Sequence, residues 1–233
     1  MSVILRPSKA RGHAMHGWLN SRHSFSFGSY YDPSQMGFRS LRVINEDIIN
    51  GGSGFPTHPH QDMEIISYVV SGALAHRDST GSEGVIRRGD VQAMSAGTGV
   101  RHSEFNHLPD EETRFLQIWI MPQSRGTVPR YSDMSIPDDD KHNRLRLMVG
   151  PKPSEDSLWI NQDVLLYGCL IDSGRTLHHP LGSGRGAWVQ VVDGAIAVNG
   201  NLLTSGDGLQ LEEVSDIDIA ASVPTEFLLF DLA

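Results

Sequence analysis

Cysteine is nearly absent. Cys169 stands alone, so no intrachain disulfide is possible, which fits a reducing compartment. Basic residues are also scarce: Lys plus Arg number 19 against 28 Asp plus Glu, a formal charge of −9. No basic stripe occurs, and phosphate contacts need clustered Lys and Arg, which argues against direct nucleic-acid binding. No apolar run approaches the ~20 residues of a membrane helix. The N-terminal segment Met1 to Arg11 lacks the apolar stretch of a secretory signal. A soluble cytoplasmic protein, without a membrane partner and monomeric, is the expectation. Long helical periodicity is missing. So are a Ser-His-Asp arrangement and a phosphate-cradling glycine loop, because Gly182 to Gly186 precedes a strand and reads as a flexible loop.

What remains is β-type sequence. The 233 residues suit one large domain or two barrels of roughly a hundred residues each. Hydrophobic residues make up 39%, which marks a globular chain, and 24 Gly with 12 Pro imply many turns. Short β-type runs recur at Ser40–Ile44, Glu64–Val70, Ala73–His76, Phe115–Ile120, Leu145–Val149, Ala187–Val192, Ala195–Val198 and Phe227–Phe230. Asp78–Gly81 and Asn199–Asn201 read as hairpin turns. The acidic runs Asp110–Glu112 and Asp138–Asp140 read as solvated loops. Many short strands with regular turns mean an all-β sandwich or barrel.

The chain repeats itself. Val69–Ala75 (VVSGALA) matches Val191–Ala197 (VVDGAIA), and each copy leads to a Gly-Asp pair, Gly89-Asp90 and then Gly206-Asp207 after a shorter loop. Order and spacing agree, so two related barrels in tandem are expected. The boundary falls in the proline-broken stretch after Met121. It gives a metal-binding barrel over 1–131 and a degenerate barrel without metal over 132–233.

Chemistry concentrates in two segments, Thr57–Glu64 (THPHQDME) and Arg101–Glu104 (RHSE). His58 and His60 stand two apart, as do His102 and Glu104, and residues two apart on a strand share a face. Two adjacent strands therefore aim four ligand-type side chains at one point, a mononuclear metal site. Glu64 shares the parity of His58 and His60, so spacing alone leaves the carboxylate open between Glu64 and Glu104, and one β-bulge overturns the parity argument. Projected through the repeat, the ligand positions land on Pro180, Gly182, Ile219 and Ala221, none of which coordinates through its side chain.

These segments resemble the paired motifs of the cupin superfamily. Gly54, His58, His60, Glu64 and Gly72 form the first; Gly89, Ser95, Gly97, His102 and Asn106 form the second, with Ser95 where many cupins have Pro. More narrowly, the chain resembles pirins through His16–Trp18, Phe25–Phe27, Tyr31–Pro33, Gly37-Phe38, Leu41–Asn45, His58–His60, Met94–Glu104, Gln117–Trp119 and Pro129–Tyr131. The resemblance implies a bicupin with one metal in the first barrel, iron as that metal, and Glu104 as the carboxylate ligand. It also implies quercetin 2,3-dioxygenase-type activity as in bacterial members, or a transcription-cofactor role as in a eukaryotic nuclear member.

Three neutral imidazoles and one carboxylate suit Fe, Mn, Ni, Cu or Zn, and Co is compatible; the absence of a nearby cysteine argues against structural zinc. The expected partners are a phenolic small molecule and O2. The expected reaction is flavonol cleavage, with Glu104, or else Glu64, accepting the 3-hydroxyl proton. The alternative is a metal- or redox-dependent binding protein that regulates a protein partner. Met63, Met94 and Phe55 are possible pocket lining or simple core. Arg101 points away from the interior by alternation. His13, His16 and His23 read as surface or satisfied core residues, with the barrel mouth an alternative place for His23; His76, His107, His178 and His179 read as loop or surface residues, and Cys169 as a small buried hydrophobe.

Overall fold

In the computed structural model, which describes residues 2–233, nearly every element is a β-strand. The chain divides into two units. One comprises Gly12–Ile136 with Pro151–Gln162. Its antiparallel sheet runs Gly12–Met15, Leu19–His23, Leu41–Ile49, Thr113–Ile120, Gly54–Ser71, Val91–Asn106, Ala73–Asp78, Glu83–Arg87. Arg130–Met134 pairs alongside Val91–Ser95. The two long strands Gly54–Ser71 and Val91–Asn106 are central, and they carry the histidine motifs.

The other unit comprises the stretch through Arg11, Pro137–Gly150 and Asp163–Ala233. Its larger sheet includes, in order, Ser2–Arg6, Gly208–Glu212, Gly186–Asp193, Thr225–Leu232, Val164–Ile171 and Arg146–Gly150. Its smaller sheet runs Thr176–Pro180, Asp216–Ala221, Ala195–Val198, Asn201–Thr204. Thr225–Leu232 is buried at every position and pairs on both edges, as a central strand covered on both faces should be. Its Phe227, Leu228, Leu229 and Phe230 are wholly buried, each stabilising the fold by about 1.5–3 kcal/mol relative to exposure.

The sequence repeat is a structural repeat. Gly72 and Gly194 both adopt positive φ, 80° and 103°, and turn one strand into the next. Thr113 and Thr225 each pack against their glycine, and each Oγ1 accepts from the following amide, Ala73 N at 3.0 Å and Ala195 N at 2.9 Å. The Gly-Asp pairs match too: Gly89 N donates to Val69 O at 2.8 Å and Gly206 N to Val191 O at 3.0 Å.

Three details depart from the sequence expectation. The cut between 131 and 132 does not follow the chain's division, because Ser2–Arg6 pairs with Gly208–Glu212 and residues 132–136 stay with the first unit. Ser2–Arg6 finds its partner at the far end of the chain, and Arg130–Met134 is too polar to be placed by pattern. Asp138–Lys141 is one turn of α-helix rather than a loop: Pro137 caps it and three aspartates occupy its first turn, where the helix dipole favours negative charge. His76 is 3% exposed, not a loop or surface residue, because Ala73–Asp78 extends two residues beyond the expected run and pairs with Val91–Asn106.

Candidate metal centre

His58 and His102 sit directly opposite each other across the two long strands, and His60 opposes Val100. The register shifts between Phe55 and His58 and again between His60 and Asp62, so His58–His60 is a short regular island between two bulges. At the second bulge Asp62 has a φ of 67°.

The three rings converge. Their centroids lie 4.8 Å apart for His58–His60, 4.5 Å for His58–His102 and 4.8 Å for His60–His102. One ring nitrogen from each falls within 4.8 Å of the others. His58 Nδ1 donates to the Pro56 carbonyl at 2.8 Å, which leaves its Nε2 lone pair toward the centre. That Nε2 is 3.0 Å from His102 Nε2. Two ligands held at right angles, each about 2.1 Å from one ion, stand about 3.0 Å apart, so the spacing fits a shared metal. Burial, then the neighbouring rings of His102 and His58, lowers the His60 pKa to about 4. Burial with His58 and His76 lowers that of His102 to about 3. Both imidazoles are therefore neutral near pH 7 with lone pairs available, as a metal requires.

Glu104, 1% exposed, is fixed by side chains from three strands. Gln92 Nε2 donates to Oε1 at 2.8 Å and Gln117 Nε2 to Oε2 at 2.6 Å, while Ser67 Oγ lies 3.0 Å from Oε1. Ser67 pairs in register with Gln92 on one side and Gln117 on the other, so one transverse rung of polar side chains cradles the carboxylate. Glu104 groups with His102 and His76, their ligand-type atoms lying within 4.8 Å of one another.

Glu64 goes elsewhere. It is fully buried, accepts from Ser95 Oγ at 2.6 Å, and Ser95 in turn accepts from Arg130 at 2.9 Å. Burial raises its pKa, against hydrogen bonds from Ser95 and the Asn161 backbone and the charge of Arg130. Among the described residues the converging ligand atoms belong to His58, His60 and His102 and to His76, His102 and Glu104, and Glu64 is in neither group. Ser95, placed where many cupins carry proline, supplies the hydroxyl that holds Glu64.

His76 was legible only as a histidine in a β-run; its role comes from the fold. Its Nδ1 is 3.5 Å from His102 Nδ1, its Nε2 is 3.1 Å from Asp78 Oδ2, and its ring stacks on Tyr131 at 4.2 Å and 13°. Asp78 lies at the expected hairpin turn and accepts there from Thr80 N, Thr80 Oγ1 and Ser82 N. Burial opposes its charge, yet the bonds from Thr80, His76 and Ser82 hold it below the usual carboxylate range.

Aromatic rings flank the histidines: Trp119 meets His60 edge-on at 4.9 Å, Phe27 meets Trp119 at 5.3 Å, and Phe55 lies between Trp18 and His58. Met94 belongs to the core with Ile65, Ala96 and Val100, and Met63 packs on its edge. A cavity of about 420 Å³ opens beside His60, lined also by Pro59, Gly99, Val100 and Arg101. His13, His16, His107, Arg101 and His178 are exposed as expected. His23 is a buried core residue bonded to Ser21 at 2.8 Å, and His179 is half-buried against Asp231 at 3.0 Å. Cys169 is buried, and desolvation pushes its thiol up to about 12, so it is no nucleophile.

The profile of the family Pirin matches residues 4–120, and that of the quercetinase C-terminal cupin domain matches residues 147–232. Quercetin 2,3-dioxygenase of Escherichia coli K12 is 44% identical over 230 residues, 99% of this chain and 98% of that one. A pirin-like protein of Caulobacter vibrioides is 42% identical over 229 residues, 98% of each. The crystal structure of the bacterial pirin YhhW from Escherichia coli in complex with nickel(II) superposes with a TM-score of 0.94 at 43% identity, covering 99% of both chains. The fold is thus the all-β bicupin that the motifs implied. With both halves matched and the histidine cluster in place, the chain belongs to the pirin family.

Proposed function

We propose that His58, His60, His102 and Glu104 hold one divalent transition metal, Fe(II) being the expected ion, and that the chain is a dioxygenase of quercetin 2,3-dioxygenase type acting on a flavonol. The observation that carries this reading is the convergence of three imidazoles beside a buried, hydrogen-bonded carboxylate. Full-length relatives that bear the enzyme's name support it, as does the nickel(II) complex of YhhW. Zn, Mn, Ni, Co and Cu suit the same donors.

Bound there, a divalent ion supplies Lewis acidity toward a phenolic oxygen. The protein's residues do the rest. Trp119 and Phe55 offer apolar faces beside the histidines for a flat aromatic substrate. Glu104 is the proposed acceptor of the flavonol 3-hydroxyl proton, oriented for that by Gln92, Gln117 and Ser67. Ring opening then consumes O2 and releases carbon monoxide. The second barrel is proposed to be metal-free and structural. One apolar cluster of its core includes Ile219 and Ala221, two of the projected ligand positions.

The test is O2 uptake and carbon monoxide release with quercetin, using protein reconstituted anaerobically with Fe(II). Parallel samples carry the other divalent ions, and His60→Ala and Glu104→Gln serve as controls. Metal-dependent turnover absent from both variants is the expected result. Wild-type protein that holds metal and turns nothing over overturns the flavonol assignment.

A further inference from the structure

We infer that His76 and Asp78 are positioning residues that form a hydrogen-bonded relay behind His102, fixing its tautomer and linking it to a buried carboxylate. The inference rests on the reading of His102 as a metal ligand and goes beyond the ligand set to the groups that orient it.

With a metal ion on His102 Nε2, donor and acceptor roles leave one consistent arrangement. His102 Nε2 faces His58 Nε2 at 3.0 Å, the side proposed for the metal, so it carries a lone pair and the proton resides on Nδ1. That Nδ1–H faces His76 Nδ1 at 3.5 Å, the long limit of a hydrogen bond. His76 Nδ1 must then accept, which places the His76 proton on Nε2, where it donates to Asp78 Oδ2 at 3.1 Å. Asp78 accepts here from His76 and through Oδ1 from Thr80, so every link in the chain is matched. The side chains of His76 and Asp78 are 0% and 1% exposed, so water does not substitute for either partner. Tyr131 stacks on His76 and donates through its hydroxyl to Gln92 at 3.0 Å. Gln92 holds Glu104, so the backing of His102 and that of Glu104 are mechanically joined.

Partners of this kind orient ligand histidines and raise their basicity, and their loss typically weakens metal binding 10–100-fold. The informative variant is Asp78→Asn. Its amide keeps an oxygen for Thr80 but presents N–H to His76 Nε2. His76 must then carry its proton on Nδ1, where it meets the N–H of His102 and breaks the relay.

Two readouts test this without turnover. In protein loaded with diamagnetic Zn(II), long-range proton–nitrogen NMR should show His76 protonated on Nε2 in the wild type and on Nδ1 in Asp78→Asn. Competition with a chelator for Ni(II) should show affinity about 10–100-fold lower in Asp78→Asn. His76→Phe, which keeps the stack on Tyr131 while removing both nitrogens, should lose affinity to a similar degree. Wild-type His76 protonated on Nδ1 overturns the relay with no variant needed. Ni(II) affinity unchanged in both folded variants overturns it as well and leaves the metal centre standing. A wild type that binds no Ni(II), or a His58→Ala variant that binds as tightly as the wild type, overturns the metal-centre reading and the relay with it.

Discussion

The two barrels share one plan and differ in one rung. In the first, Ser67 pairs across the sheet with Gln92 and Gln117, and these polar side chains hold Glu104. Val189 occupies the matching place in the repeat, and it pairs with Leu209 and Leu229. Val189, Leu209 and Leu229 are all fully buried in one apolar cluster. The turns around the rung are the same in both, down to the threonine that caps the strand after each glycine. Turns and rung are therefore specified by separate residues: glycine, threonine and Gly-Asp pairs set the turns, while the inward rung is polar around Glu104 in one unit and apolar in the other.

The largest expected effect comes from removing a proposed ligand from one barrel, set against removing a histidine from the other. His58→Ala or His102→Ala should weaken Ni(II) binding by more than about 100-fold, beyond the usual range for supporting residues. His179→Ala, in the second unit against Asp231, should leave it unchanged. Calorimetric titration of the three variants checks this, and a metal-binding loss in His179→Ala would break the distinction between the barrels.

Next comes an exchange of rungs. Leu229→Gln places an amide in a dry apolar cluster, and Gln117→Leu strips a donor from the buried Glu104 Oε2. The first should cost about 3 kcal/mol of stability in the metal-free protein, through an unsatisfied amide and lost packing. The second should cost about 1–3 kcal/mol and weaken metal binding as well. Urea denaturation with and without Ni(II) separates them, since only Gln117→Leu should also change the gain from metal.

A further contrast is the pH dependence of the metal-free protein. Folded His60 and His102 have pKa values lowered to about 4 and about 3, from an ordinary 6.5. Between those values and 6.5 the unfolded chain binds more protons than the folded one, so these groups favour folding less as pH falls through that window. Below about 3 both states are protonated and the dependence from these groups ends. His178 in the second unit is shifted the other way by its bond to Asp218. Its contribution is present at low pH and fades as pH rises through its raised value. Thermal denaturation across pH 3–7 should therefore show a steep dependence that His60→Ala flattens and His178→Ala does not.

Much of this was legible in the sequence because it is local. The i, i+2 pairs His58–His60 and His102–Glu104 need only a strand, and the repeat needs only matching words. What was not legible depends on register. The residue opposite Glu104 is His76, and nothing in the run Ala73–His76 says that its strand continues to Asp78 and lies against Val91–Asn106. The swapped N-terminal strand is invisible for the same reason, since its partner Gly208–Glu212 lies at the far end of the chain.

Glu64 gives the smallest effect and the sharpest test of that lesson. Strict alternation puts it on the face of His58 and His60, but the bulge at Asp62 shifts the register, from His60 opposite Val100 to Asp62 opposite Gly97. Ser95 then holds the displaced carboxylate, with Arg130 bonded to the same hydroxyl. Glu64→Gln keeps the shape and removes the charge. Burial raises the Glu64 pKa, against the Ser95 and Asn161 hydrogen bonds and the charge of Arg130, so the amide relieves the desolvation of a buried charge while giving up part of those bonds. Ni(II) affinity should stay within about twofold of wild type, against the 10–100-fold scale of residues that support a metal site. Glu104→Gln should lose far more. If Glu64→Gln weakened binding as Glu104→Gln does, the bulge would not decide the carboxylate, and parity would have been the better guide.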